Sequence, residues 1–320
     1  MTSAEEDVPS LPIGALLAGR HRLERLLGQG AMGSVYEASG PEGERVAVKV
    51  VRQPPGQAGS LRLARFDREA RLASSLDSPH IVPVREVGAD DEHEVAFAVM
   101  PLLEGEDAGA LVRRLGPLPP VTAVRLVLQA SEGLAVAHAA GVVHRDIKPS
   151  NLFLDRGPDG YTVRVADFGV AKSIADGLNL TAPGTSLGSP MYMAPEQLIS
   201  AREVDARADV WALAMTLYEL LAGAPAYHAL ASFQQIVLAQ STRPVPSLHE
   251  AAPWLDPGLV MVVHGALLRD LDARCPSVRA LADALRPHAG GGLDLPFTLL
   301  QGITEERQRQ LTAAPPRPAT

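Results

Sequence analysis

The chain has a single cysteine, Cys275, in 320 residues. A lone thiol excludes an internal disulfide framework and any metal site built from several cysteines, and it makes a reducing, cytosolic setting the expectation. Aromatic side chains are scarce too, at 4%, so Ala, Val and Leu must fill most of any core. Positive charge is in the minority: 29 Lys and Arg stand against 37 Asp and Glu, a formal net charge of −8. That balance argues against a general nucleic-acid binder, which works by neutralising phosphates. No apolar run reaches the roughly 18 residues a membrane span requires. The nearest, VWALAMTLYELLAG (210–223), is interrupted by Glu219 and reads as a buried core helix. The N-terminal MTSAEEDVPSLP is acidic and lacks the basic-then-apolar order of a secretion signal.

What is present is a globular composition, 46% hydrophobic and 21% charged, in a chain long enough for two lobes or one large core. Residues 1–19 are polar and then mixed, and are expected to be a loose lead-in. From His21 to Glu104 the pattern favours strands: RLERLLGQG, SVYEASG, RVAVKVV, HIVPVREVG and EVAFAVM alternate or run apolar between Gly and Pro breaks. One charged segment with helical spacing, SLRLARFDREARLASSL (60–76), interrupts them. From Thr122 onward helical patterns dominate, with short strand-like pieces NLFLD and TVRVADF separated by RGPDGY, a turn composition. The expectation is an α+β chain with a small β-rich N-terminal lobe over 20–104 and a larger, mainly helical lobe over 105–287. Residues 288–320, with AGGGLD and a closing TAAPPRPAT, are expected to be a flexible tail in which 296–311 carry a short amphipathic pattern.

Two stretches carry chemistry. GQGAMGSV spaces Gly28, Gly30 and Gly33 as GxGxxG. A dinucleotide fold needs a helix opening at such a loop, whereas strands follow it here. A flap over phosphates and a hairpin made glycine-rich for purely steric reasons both remain open. Lys49 ends the apolar strand VAVK, and Glu69 lies in the predicted helix twenty residues on. That lysine is either strand-edge decoration or a phosphate ligand held by a carboxylate, and Glu69 suits either that role or a surface ion pair. The second stretch is VVHRDIKPSN (142–151), where His144, Arg145, Asp146 and Lys148 follow an apolar run. Such a concentration of polar groups is either a solvated turn or a site whose charges are partnered by ligands.

With DFG (167–169), SPMYMAPE, DVWALA and the late Arg274, these motifs form an ordered set that resembles the Hanks-type (eukaryotic-like) protein serine/threonine kinases found in bacteria, over residues 20–287. The resemblance implies the two-lobed protein kinase fold, with one regulatory helix in the small lobe. It implies that Asp146 accepts or orients the proton of a substrate hydroxyl and that Lys148 reaches the transferring phosphate. Lys49 would hold the α- and β-phosphates of ATP and Glu69 would hold Lys49. Asn151 and Asp167 would ligate Mg²⁺, with Mn²⁺ as a stand-in. Leu27, Gly28, Gly30, Gly33, Val35, Ala47, Met100 and Phe153 would line the ATP pocket, with 101–104 as the hinge. His144 would pack under Phe168, with no acid–base role. Arg145 would receive a phosphate placed on Thr181, Thr185 or Ser186.

The implied partners are ATP and proteins with Ser or Thr acceptors. Self-association for phosphorylation in trans and a partner docked on the tail are further expectations; nucleic acid and a membrane span are not expected. The chain departs from the family pattern at Ser189, where Thr is usual, at Ala214 in place of Gly, at Pro101 in the hinge and at the small Ala73. Glu196 and Arg274 are expected to form a buried clamp. A nucleotide-binding scaffold without transfer activity is the competing class, although Lys49, Asp146 and Asp167, whose equivalents such scaffolds usually lack, are all present.

Overall fold

A computed structural model of the chain describes residues 11–30, 33–52, 74–168, 189–199 and 204–313. Most of the predicted helix 60–76, with Glu69 and Ala73, lies outside the described residues, as do Thr181, Thr185 and Ser186. The chain forms two compact units, one of residues 1–104 with 167–186 and the other of 105–166 with 187–320.

The first unit is built on one sheet. Its strands are β1 (Leu16–Leu17), β2 (His21–Gly30), β3 (Gly33–Ser39), β4 (Arg45–Arg52), β5 (Glu86–Asp90) and β6 (Val95–Pro101). They lie in the order β1-β2-β3-β4-β6-β5, with antiparallel neighbours throughout. The two-residue period of a strand sorts the side chains of β4. Val46, Val48 and Val50 join Tyr36, Ala38, Phe97 and Val99 in the apolar core on one face. The register sets Val35 and Ala98 beside Lys49, and Met100 beside Ala47, so Val35, Ala47, Lys49 and Met100 share the opposite face. The lead-in expected to be loose over 1–19 is docked from residue 11. Leu17 is fully buried, Leu11 N donates to the Tyr36 hydroxyl (2.8 Å) and Ala18 N to Asp90 (2.6 Å). The apolar content of LPIGALLAG outweighs the acidic start.

The second unit opens on β7 (Gly105–Asp107), which joins β8 (Leu152–Arg156) and β9 (Tyr161–Val165) in a sheet of order β7-β8-β9. The remainder is helical: α1 (Ala108–Leu115), α2 (Pro120–Ala139), α3 (Pro195–Ile199), α4 (Arg207–Ala222), α5 (Phe233–Thr242), α6 (Leu248–Ala251), α7 (Pro257–Ala266), α8 (Val278–Leu285) and α9 (Glu305–Ala313). Local chemistry sets the starts. Asp107, Ser232, Ser247, Asp256 and Ser277 each accept a backbone N–H of the first turn, and α2 begins on Pro120, whose missing N–H costs nothing there. α4 is apolar on all sides and buried nearly throughout, as a central core helix must be.

Two features depart from a simple helical lobe. Where a flexible tail from 288 is expected, residues 289–303 are held by hydrogen bonds to α2, Pro117 and Tyr161. Leu295 and Ala289 are buried there, which offsets the freedom its glycines would otherwise keep. The second is the clamp. Arg274 donates to both Glu196 carboxylate oxygens (2.7 and 3.0 Å) and to the carbonyls of Leu268 and Arg207. Its guanidinium also lies 5.0 Å from the Trp211 ring centroid. The expected pair is therefore formed, with the Arg274 side chain fully buried. Removing one partner of such a pair leaves the other uncompensated, so Arg274→Ala is expected to cost about 3 kcal/mol or more in denaturant unfolding. A loss under about 1 kcal/mol would mean the pair behaves as a surface bridge.

Candidate active site

The site grows from one buried carboxylate. Asp209 lies in the first turn of α4 with no exposure to solvent. It accepts hydrogen bonds from His138 Nε2 (2.7 Å), His144 N (2.8 Å) and Arg145 N (2.7 Å). Burial alone would push this carboxyl up; the hydrogen bond from His138 and the two neighbouring imidazoles outweigh burial and hold it below the ordinary range. Arg145 is thereby fixed with φ 65°, a conformation rare for a side chain with a β-carbon and kept only where surroundings impose it. His144 is fully buried. Its Nε2 meets Ala166 O (2.8 Å) and its Nδ1 meets Asp146 N (3.2 Å). With both ring nitrogens engaged, the ring is committed to scaffolding.

Asp146 follows from this arrangement. Its carboxylate oxygen Oδ2 accepts from Lys148 Nζ (2.9 Å) and from Asn151 Nδ2 (3.3 Å), and its carbonyl accepts from the same Asn151 amide (2.7 Å). Pro149 opens the single 3-10 turn (Pro149–Asn151) that spaces these groups. A carboxamide whose nitrogen is committed to Asp146 can offer only its oxygen to a cation. Asn151 O in turn accepts from Ala166 N (2.9 Å), which ties the loop to the end of β9. Phe153, the expected floor of the adenine pocket, is half-buried on β8.

In the first unit, Lys49 Nζ lies 2.7 Å from Asp167 Oδ1. Lys49 is buried to 6% exposure, while Asp167 stands at φ 63°, a second residue in the left-handed region. The partner that sequence assigned to Lys49, Glu69, lies outside the described residues. The glycines of the loop divide by cause. Gly33 has φ 129°, and a β-carbon there would sit 2.1 Å from Val50 O, so the sheet itself requires glycine. At Gly28 and Gly30 a β-carbon would meet nothing within 4 Å, so neither is demanded by packing. Leu27 is 39% exposed beside them.

A further group of residues, which sequence reading did not single out, anchors the 189–196 segment. Gln240 of α5 donates to Pro190 O (3.0 Å) and Met191 O (3.1 Å). Gln197 bridges Ala194 N (3.0 Å) to Arg145 O (3.0 Å). The Tyr192 hydroxyl bonds Glu219, inside α4. Burial pushes both the Glu219 carboxyl and the Tyr192 hydroxyl up. Asp209 and Glu219 did leave a signal: each is a carboxylate inside an otherwise apolar helical run. The two glutamines left none.

Comparison with known proteins places this geometry. Residues 21–280 match the family described as protein kinase domain. The chain belongs to the protein kinase family. It is 36% identical over 321 residues to the serine/threonine-protein kinase PknH of Mycobacterium tuberculosis, covering 98% of this chain and 48% of that protein. It is 38% identical over 267 residues to PknD of the same species, covering 83% of this chain and 39% of PknD. The chain thus spans about half, or less, of the length of these relatives. Among solved structures, the PknI kinase domain of M. tuberculosis superposes with a TM-score of 0.66 at 32% identity, over 88% of this chain and 100% of that one. The fold is the protein kinase fold, and the membership is among Hanks-type bacterial serine/threonine kinases.

In this chain the depressed carboxyl of Asp209 fixes a sign. Its contribution to stability is complete above the ordinary aspartate value of 3.8 and is lost as pH falls through the lower folded-state value. Unfolding free energy measured against pH is expected to fall on that acid limb in the wild type and to flatten there in Asp209→Asn. An unchanged acid limb in the variant would remove the assigned linkage.

Proposed function

We propose that this chain transfers the γ-phosphate of ATP to Ser and Thr hydroxyls of proteins. The observation that carries this reading is the Asp146 cluster: one carboxylate holds Lys148 Nζ at 2.9 Å and Asn151 Nδ2 at 3.3 Å, on a backbone fixed by Asp209. Phosphoryl transfer asks mainly for positioning and charge neutralisation. Asp146 orients the acceptor hydroxyl and takes its proton. Lys148 brings a compact positive charge to the transferring group, and Lys49, on the face of β4 opposite Val46, Val48 and Val50, holds the α- and β-phosphates. Gly28 and Gly30, bare where packing does not require it, let phosphate oxygens approach the backbone closely.

The metal of this reading is Mg²⁺, with Mn²⁺ as substitute, held by Asp167 and the amide oxygen of Asn151. Among the described residues no group of three or more His, Cys, Asp or Glu converges on a metal site. A sparse set of hard oxygen donors suits a cation that keeps water and substrate phosphate as its other ligands. Such a cation, when bound, neutralises the phosphate charge.

Thr181, Thr185 and Ser186 are the proposed sites of autophosphorylation, with Arg145 as the partner of the added charge. Its guanidinium donates to Val204 O at 3.5 Å, and a guanidinium pairs strongly with phosphate. Transfer between two copies of the chain, a partner protein for the C-terminal segment, and a cytoplasmic setting complete the reading. Among the described residues no helix is long and apolar enough to cross a membrane.

Purified chain incubated with labelled ATP, Mg²⁺ and a basic protein substrate is expected to transfer label, with a loss of about 10²–10⁴-fold in Asp146→Asn. Equal, background-level labelling in both would establish the scaffold reading instead. Phosphopeptide mapping of the active chain is expected to place phosphate within 181–186. An active chain unmodified there would remove Arg145 from its assigned role.

A further inference from the structure

Beyond the residues matched to the family, which end at 280, the chain turns through Arg286–His288 and runs back along its own second unit. The receiving surface is on α2. Thr122, Arg125 and Gln129 are spaced three and four residues apart, so they lie along one side of the helix. Each donates to main-chain carbonyls of the returning segment. Arg125 reaches Ala289 O (Nε, 2.8 Å), Asp294 O (Nη1, 2.8 Å) and Gly290 O (Nη2, 3.4 Å). Gln129 Nε2 reaches Leu293 O (2.8 Å) and Thr122 Oγ1 reaches Leu299 O (2.9 Å). Close approach is secured near the middle of the segment and at its far end. A β-carbon at Gly160 would sit 2.4 Å from Leu295 O, and one at Gly302 would sit 2.2 Å from Leu115 O. Leu295 is 2% exposed, and the Phe297 ring stands edge-on to Tyr161 at 5.2 Å.

What this segment covers is the outer edge of β9. In the order β7-β8-β9, β9 has β8 on one side only, and alternate N–H groups along its other side need acceptors. Tyr161 N finds Leu295 O (2.8 Å), and Val163 N finds Gln129 Oε1 (2.7 Å). One buried side-chain amide, that of Gln129, therefore joins the returning segment on its nitrogen side to β9 on its oxygen side. β9 is paired with β8 from Leu152↔Val165 to Arg156↔Tyr161, and the same ribbon carries Phe153 and ends at the Ala166 N to Asn151 O bond.

We propose that residues 289–303 are an intramolecular strap that sets the β8–β9 ribbon, and through it Asn151, for phosphoryl transfer, with Gln129 as the positioning residue that couples strap to ribbon. The catalytic part rests on the kinase reading above; the coupling itself does not. Recognition is of main-chain carbonyls, so the strap's path depends on backbone geometry, with Leu295 and Phe297 as its side-chain anchors.

The test uses the full chain with Gln129→Leu, which keeps bulk but removes both amide bonds, and Leu295→Asp, which expels the strap by placing a carboxylate in a buried apolar site. Phe297→Ala, at a 39% exposed position, serves as a milder third variant should either of the others fold poorly. Hydrogen exchange at the amides of Tyr161 and Val163 is expected to quicken about tenfold or more in all three, as local opening becomes easier. kcat/KM for ATP is expected to fall about tenfold, as it does when the support of a ligating residue is lost, with a higher Mg²⁺ requirement and little change in KM for the protein substrate. The Gln129→Leu, Leu295→Asp double variant is expected to be no worse than the worse single one, because both break the same connection. Unchanged exchange at Val163 overturns the coupling. A lowered melting temperature with kcat/KM preserved, or additive losses in the double variant, overturns the positioning role. If the wild-type chain transfers no phosphate, the kinase reading fails and the exchange data alone decide the strap.

Discussion

Everything the second unit presents to chemistry hangs on a charge kept out of water. Asp209 sits at the amino end of α4, where aligned peptide dipoles favour an anion, and spends its oxygens on two consecutive backbone N–H groups and one imidazole. The left-handed turn at Arg145 is the geometric consequence. It reverses the chain so that His144 points into the interior while Asp146 faces Lys148 and Asn151. An uncompensated carboxylate at that depth would be prohibitive; with three donors it is an anchor, and the loop that carries Asp146 inherits its rigidity.

The rest of the scaffold is built from small aliphatic residues, and its precision comes from a few polar side chains placed among them. Gln197 joins the end of the 189–196 segment to the carbonyl of Arg145, Gln240 secures the start of that segment, and Gln129 joins the strap to β9. Each uses both ends of an amide, or two donations from one end, to lock elements distant in sequence. A neutral amide does this without the desolvation penalty of a charge. Arg274 does the same work with charge, and needs Glu196, two carbonyls and the face of Trp211 to do it.

The fold was legible where periodicity and punctuation agree. The strand region before Glu104, the long helices α2 and α4, and the clamp of Glu196 with Arg274 all follow from local pattern or from ordered motifs. That Asp146, Lys148 and Asn151 stand together was legible because they fall in one ordered motif, and the structure joins them by hydrogen bonds. What was not legible depends on distant partners. Asp209 was quoted only as part of DVWALA, and its function needs His138, far along the chain, to be understood. The strap looked flexible because AGGGLD reads as a linker. Its order comes from Arg125 and Gln129, on a helix more than a hundred and fifty positions earlier. Short-range composition carries no trace of such a contact. The docking of residues 11–18 was hidden for the same reason: Asp90 and Tyr36, which hold it, announce nothing from their own neighbourhoods.

The three loop glycines differ in what they answer to. At Gly33 the sheet leaves no room for a side chain; at Gly28 and Gly30 it leaves open space. Natural variation is therefore filtered differently at positions a few residues apart. A change at Gly33 is removed by the quality control that clears misfolded chains, whatever the ligand. Changes at Gly28 and Gly30 pass that filter, and under the proposed function they are judged by the ligand alone, so drift at those two positions would record the history of the ligand and not of the fold.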